Sequence, residues 1–170
     1  MGAYIIKDYA LTYNDTAEII DIVNQRLCEN NETCMFVTVW IGILDMRTMM
    51  LQFSNAGHNY PLIKHNGEGC VRLKEVHGMC LGCMEDNEYE KSEIQLCRGD
   101  RLLLYTDGVT EALNPDKKMY GTDRLSALLD QSDKDSPEEV LRKVIGDVNR
   151  FASGEPQFDD ITVLMLEIRK

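Results

Sequence analysis

The stretch MFVTVWIGIL, residues 35–44, constrains the fold more than any other part of the chain. It is β-branched, aromatic and apolar on both faces. Val37, Val39, Ile41 and Ile43 fall on one side of an extended strand, and Phe36, Trp40 and Leu44 on the other. A strand of that kind belongs in a sheet covered on both sides. A turn over Asp45 to Thr48 brings MMLQFSNA (49–56) back as the next strand. The last segment, ITVLMLEI (161–168), is again apolar on both faces.

The intervening segments say how these strands are arranged. A helix is expected from Asp15, which can cap it. Glu18 stands three residues on, and Ile19, Val23 and Leu27 recur at four-residue spacing before the polar ENNET. GHNYPLIKH leads into a short strand, and NGEG at 66–69 turns the chain into VRL. SEIQLC (92–97) and RLLLYT (101–106) are expected to form a hairpin about a tight Arg98-Gly99-Asp100 turn. One helix follows over about 122–131. A second is opened by Ser136, Pro137 and Glu139 and carries Val140, Val144, Val148 and Phe151 toward the core. Strands and helices do not alternate, which argues against a parallel doubly wound sheet. The expected class is α+β, with stacked antiparallel sheets and outer helices, in a single domain over residues 1–170.

Composition narrows the function. The chain carries 18 basic against 29 acidic residues, a net charge of −11, which argues against nucleic-acid binding, since that needs a basic stripe. No apolar run approaches a membrane span, and the opening MGAYIIKDYA has no signal-peptide pattern, so the cytoplasm is the expected location. The six cysteines, at 28, 34, 70, 80, 83 and 97, follow no disulfide framework and are expected to be reduced thiols. Cys80 and Cys83 form the one C-x-x-C. No second pair completes a zinc knuckle, and the glycine-punctuated GMCLGCMED is not the strand-then-helix setting of a redox motif, so inert cysteines are expected there.

Three acids stand at strand ends. Asp107 follows RLLLYT, and Asp159 and Asp160 precede ITVLMLEI. If those two strands are antiparallel neighbours, the three carboxylates meet at one sheet edge. Gathered carboxylates repel and need protons or a cation, and such hard oxygen ligands suit Mg²⁺ or Mn²⁺. Gly108 would let the backbone pass close by. Spacing alone equally allows Asp107 to start a turn and the other two to be loop residues. Glu111 reads as a first-turn helix acid favoured by the dipole; His58, in SNAGHNYP, is either a base or ligand or, as its lack of companion Cys/His spacing favours, a turn histidine with a structural hydrogen bond. No G-x-S-x-G context supports a nucleophilic triad.

Taken in order, MFVTVWIGILD, FSNAGHNYPLI, GMCLG, RGDRLLLYTDGVTEALN, MYGTDRL, SPEEVL and PQFDDITVLMLEI make a familiar series. It resembles the SpoIIE-like branch of the bacterial metal-dependent, 2C-type protein serine/threonine phosphatases, from about residue 15 to the C-terminus. YTDGVTEA and DDIT are its most specific parts. The glycine loop departs from the family's G-x-P-L-G, with Cys80 where proline is usual. The resemblance implies a sandwich of antiparallel β-sheets flanked by helices, with two Mn²⁺ or Mg²⁺ ions at its edge. A metal-bound water would attack phosphoserine or phosphothreonine, with no protein nucleophile. By the same resemblance Asp107 is a metal ligand, and aligning DDIT with the family's D-N-M-T makes Asp159 another and Asp160 its neighbour, with a one-residue ambiguity between the two. The implied partner is a phosphorylated regulatory protein, such as an anti-sigma-factor antagonist of a partner-switching pathway.

The family's two leading acid motifs, like G-D-Y-Y-D and G-D-V-S-G-H-G, do not occur in this chain. Its Gly-Asp pairs are Gly99-Asp100 and Gly146-Asp147. The sequence therefore reads as the C-terminal portion of such a domain, without its N-terminal strands. Weak metal binding and little activity are expected of it, as is self-association, as a homodimer, through the surface those strands would cover. A non-catalytic interaction module is the competing expectation.

Overall fold

The computed structural model describes residues 2–29, 31–32, 34–157 and 159–169. In chain order, the elements begin with α1 (Gly2–Ala10), α2 (Thr16–Cys28), β1 (Val39–Asp45), β2 (Met50–Ala56), β3 (Leu62–Lys64) and β4 (Val71–Arg72). They continue with β5 (Ser92–Gln95), β6 (Arg101–Tyr105), α3 (Asp107–Thr110), α4 (Thr122–Asp130), α5 (Pro137–Ala152) and β7 (Val163–Glu167). The class is α+β with antiparallel sheets, as expected. The chain divides into two compact units, residues 1–58 with 75–96 and residues 59–74 with 97–170.

The first unit holds the sheet β1-β2-β5. β1 and β2 are antiparallel in the register Val39↔Ala56 to Asp45↔Met50, and β2 pairs β5 from Met50↔Gln95 to Phe53↔Ser92. α2 starts where the sequence places it, with the Asp15 carboxylate accepting from the Ala17 and Glu18 amides. Residues 30 and 33 of its polar exit lie outside the described residues. Ile19, Ile20 and Val23 of α2 bury themselves with Ala56 and Leu81. The strand expected from residue 35 begins only at Val39. Before it, Val37 exchanges both backbone hydrogen bonds with Leu81, at 2.9 and 2.8 Å, and Met35 and Phe36 are exposed. β1 itself is an edge strand and only half-buried along most of its length. α1, a helix not expected from the sequence, packs on α2.

The second unit holds the sheet β4-β3-β6-β7, again antiparallel throughout. Its core joins Leu62 and Leu103 of the sheet to Leu125 and Leu129 of α4 and Val140, Val144 and Val148 of α5. α5 opens with the expected capping box: the Ser136 hydroxyl accepts from the Glu139 amide while the Glu139 carboxylate accepts from the Ser136 amide.

The expected hairpin of residues 92–106 is not formed. β5 pairs with β2, whereas β6 lies between β3 and β7. The tight turn is there, but it hands the chain from one sheet to the other. Asp100, 2% exposed, explains how. Its carboxylate accepts from the Cys97 and Asn66 amides at 2.8 and 3.0 Å and bonds the His65 ring at 2.8 Å. Burial opposes the charge, but these partners together hold the carboxyl below its ordinary range. The turn is thus fastened to the end of β3, and β6 joins the sheet beside it.

Candidate metal centre

The conditional geometry read from the sequence is met: β6 and β7 are antiparallel neighbours, paired from Arg101↔Glu167 to Tyr105↔Val163. The end of β6 therefore lies beside the segment that enters β7. Thr106 joins them three ways. Its amide donates to the Thr162 carbonyl at 3.0 Å, and its hydroxyl donates to the Asp160 carbonyl at 2.8 Å and accepts from the Thr162 amide at 2.9 Å.

Asp107 opens α3, a helix of a single turn. Its Oδ1 accepts from the Gly108 amide at 2.9 Å. Gly108 is buried against the other acids' backbone: a Cβ there would stand 2.6 Å from the Asp160 carbonyl oxygen and 3.0 Å from that of Asp159. That is closer than any side chain tolerates, so TDG and DDIT can meet only with glycine at this position. The loop is further set by the Gln157 side-chain amide, which donates to the Asp159 carbonyl at 2.7 Å, and by the Asp160 amide, which donates to the Asp159 carboxylate at 2.7 Å.

All three carboxylates are exposed. The backbones are brought together, yet among the described residues no group of three carboxylate, histidine or thiol side chains is placed to hold a metal ion. The donor chemistry suits a hard divalent cation, but these residues do not by themselves fit a complete centre.

Glu111 is not in a first turn. It caps the C-terminal end of α3, its amide donating to the Asp107 carbonyl at 2.8 Å, because the helix lasts a single turn. Its side chain borders a cavity of about 210 Å³ beside the acid edge, which Gly108, Ala112, Leu113, Val148, Asp159 and Ile161 also line. His58 fits the expected turn role. Its amide donates to the Asn55 side-chain oxygen at 2.8 Å, and its Nδ1 lies 3.3 Å from the Thr38 hydroxyl. Sequence reasoning missed His77, 6% exposed, whose Nδ1 accepts from the Asn55 amide and whose Nε2 bonds the Ser92 hydroxyl. Nothing in the spacing around it signals that burial.

Comparison with known proteins gives this geometry a family. Residues 1–169 match the family described as stage II sporulation protein E. Protein IcfG of Synechocystis sp. is 31% identical over 136 residues, which cover 80% of this chain and 21% of that protein. The phosphoserine phosphatase RsbU of Bacillus subtilis is 22% identical over 150 residues, 88% of this chain and 44% of RsbU. The chain thus spans less than half the length of either curated relative. Among solved structures, the SiaA PP2C domain of Pseudomonas aeruginosa superposes with a TM-score of 0.85 at 21% identity, covering 98% of this chain and 67% of that one. The fold is therefore that of PP2C-like phosphatase domains, of which the chain corresponds to a part. The chain belongs to the SpoIIE family, in the SpoIIE-like branch of the PP2C phosphatases.

Proposed function

We propose that the chain carries part of a metal-dependent protein phosphatase that hydrolyses phosphoserine or phosphothreonine on a regulatory protein, such as an anti-sigma-factor antagonist of a partner-switching pathway. The observation that carries this reading is the junction of TDG with DDIT, packed at Gly108 and bonded through Thr106. Family membership supports the reaction class, and RsbU, a phosphoserine phosphatase, supports the substrate class. In this reading Asp107, with Asp159 or Asp160, supplies one edge of a centre for Mn²⁺ or Mg²⁺. The family's leading Gly-Asp motifs, absent from this sequence, supply the rest.

The test is hydrolysis of a phosphoserine peptide with Mn²⁺. This chain alone should turn over little. A longer polypeptide that carries both Gly-Asp motifs should be active, and Asp107→Asn in it should lower activity by more than the roughly 10–100-fold typical of outer-shell partners of a metal. Full activity of the Asp107→Asn protein would refute the assignment. A second reading keeps the fold without the chemistry. There the chain is a non-catalytic module that binds its regulatory partner. Partner binding without any hydrolysis by the longer polypeptide would favour it.

A further inference from the structure

The C-x-x-C loop holds its two thiols in contact. Cys80 Sγ and Cys83 Sγ are 2.7 Å apart, and both residues are free cysteines. The residues between them explain why. Leu81 is fully buried and exchanges two backbone hydrogen bonds with Val37, which anchors the middle of the loop. Gly82 then takes a left-handed φ of +84° and folds the chain back, so that Cys83 returns to Cys80. The turn cannot open freely. The Gly82 amide donates to the Asn24 side-chain oxygen at 2.9 Å, and its carbonyl accepts from the Asn31 side chain at 2.9 Å. The Asn24 side chain also donates to the Met84 carbonyl at 2.8 Å. On the other side, the Cys80 backbone packs on Gly57, next to His58.

We propose that Cys80 and Cys83 form a reversible dithiol–disulfide pair, a redox modification site that staples this loop shut. The oxidant is a low-molecular-weight disulfide. The exposed Cys83, as thiolate, attacks one sulfur of the oxidant, forming a mixed disulfide and expelling one thiolate. Cys80, after losing its proton, attacks the Cys83 sulfur, closes the intraloop bond and expels the second thiolate. Two protein thiols lose two electrons and two protons, and the oxidant becomes two thiols. The hydrogen bond with Cys80 holds the Cys83 thiol above its ordinary range, so the attack quickens as pH rises. A closed bond would fix the loop that abuts Gly57, coupling the redox state to the turn carrying His58.

The chain supplies a clean readout. Cleavage after Lys74 and Lys91 releases peptide 75–91, which contains Cys80 and Cys83 and no other cysteine. The folded chain is equilibrated in glutathione buffers of rising oxidised fraction, quenched in acid, alkylated and digested. Peptide 75–91 should pass from doubly alkylated to an unalkylated form lighter by two hydrogens, and dithiothreitol should restore it. Because folding holds the sulfurs together, the folded pair should oxidise at an equilibrium constant about tenfold or more above that of the urea-unfolded chain. Cys83→Ser should abolish the lighter species. A peptide that stays doubly alkylated would overturn the proposal, as would equal constants for folded and unfolded chains. Cys28, Cys34 and Cys83 share the lining of one cleft, so cross-links between peptide 75–91 and peptide 27–47 are a further outcome, and they too would overturn it. Stoichiometric zinc held by these thiols would do the same.

Discussion

His77 sits edge-on to Phe53, with ring centroids 5.4 Å apart. Since Nδ1 accepts from the Asn55 amide, the proton is on Nε2, which donates to the Ser92 hydroxyl; the ring is neutral. Burial lowers its pKa from 6.5, against the opposing pull of Glu75 and Glu90. A histidine whose pKa falls on folding stabilises the fold above its unfolded value. That contribution is lost as pH falls from 6.5 through the folded value. The melting temperature should therefore drop between about pH 7 and pH 5, above the window where carboxylates titrate. In His77→Asn the fold should be less stable at pH 7 but flatter across that interval. Thermal melts followed by circular dichroism at several pH values check this, and an unchanged slope in the variant would contradict it. Asp100 belongs to the same scale. From sequence it is one acid of a surface turn, and only the three groups converging on its carboxylate reveal it as a buried fastener.

At the scale of elements, local signals were legible and pairings were not. Ser136, Pro137 and Glu139 announced α5 because a capping box is complete within four residues, and the four-residue spacing of Val140, Val144 and Val148 named its buried face. Ser136→Ala should cost about 1 kcal/mol, read as a shift in urea midpoint with unchanged slope. A midpoint that does not move would mean that the box is not formed in solution. The 92–106 segment shows the limit. Its tight turn was correctly located, but a turn does not name the strands' partners, and here each strand found a different sheet. The β6–β7 edge was legible because acids at the end of one apolar strand and the start of another imply a meeting place if the strands are antiparallel. The helix implied by reading Glu111 as a first-turn acid is there, but α3 ends after four residues and leaves Glu111 at its C-terminal cap. The thiol contact was not legible, because it depends on Leu81 being buried, which is a tertiary fact.

For the whole molecule, each sheet ends in a half-buried apolar strand. β1 is at one edge of β1-β2-β5, and β7, with Leu164 53% exposed, at one edge of β4-β3-β6-β7. Neither carries a further strand on that side among the described residues. Such edges invite pairing with another chain. Light scattering across a concentration series should show mass rising toward a dimer, and a constant monomer mass at high concentration would refute that. Calorimetry with Mn²⁺ should return weak binding, well short of two ions per chain, since no three-group cluster is present among the described residues. Two tightly held ions would show that the acid edge is sufficient alone. Among the described residues, no helix is long and apolar enough to cross a membrane.

The Thr106 linkage has a consequence for the order of assembly. Asp107 and Asp160 belong to segments more than fifty residues apart, yet the bonds that join their main chains through Thr106 involve no carboxylate. The two backbones are therefore brought together by the scaffold before any counter-ion arrives. A cation reaching this edge would meet a preorganised backbone and need settle only side-chain rotamers, so little of its affinity would be spent on ordering the chain. Replacing Thr106 by valine would keep its volume and remove the hydroxyl, leaving the acids to drift apart. Under the function proposed above, Thr106→Val in the longer polypeptide should weaken Mn²⁺ binding in calorimetry while every carboxylate remains in the sequence.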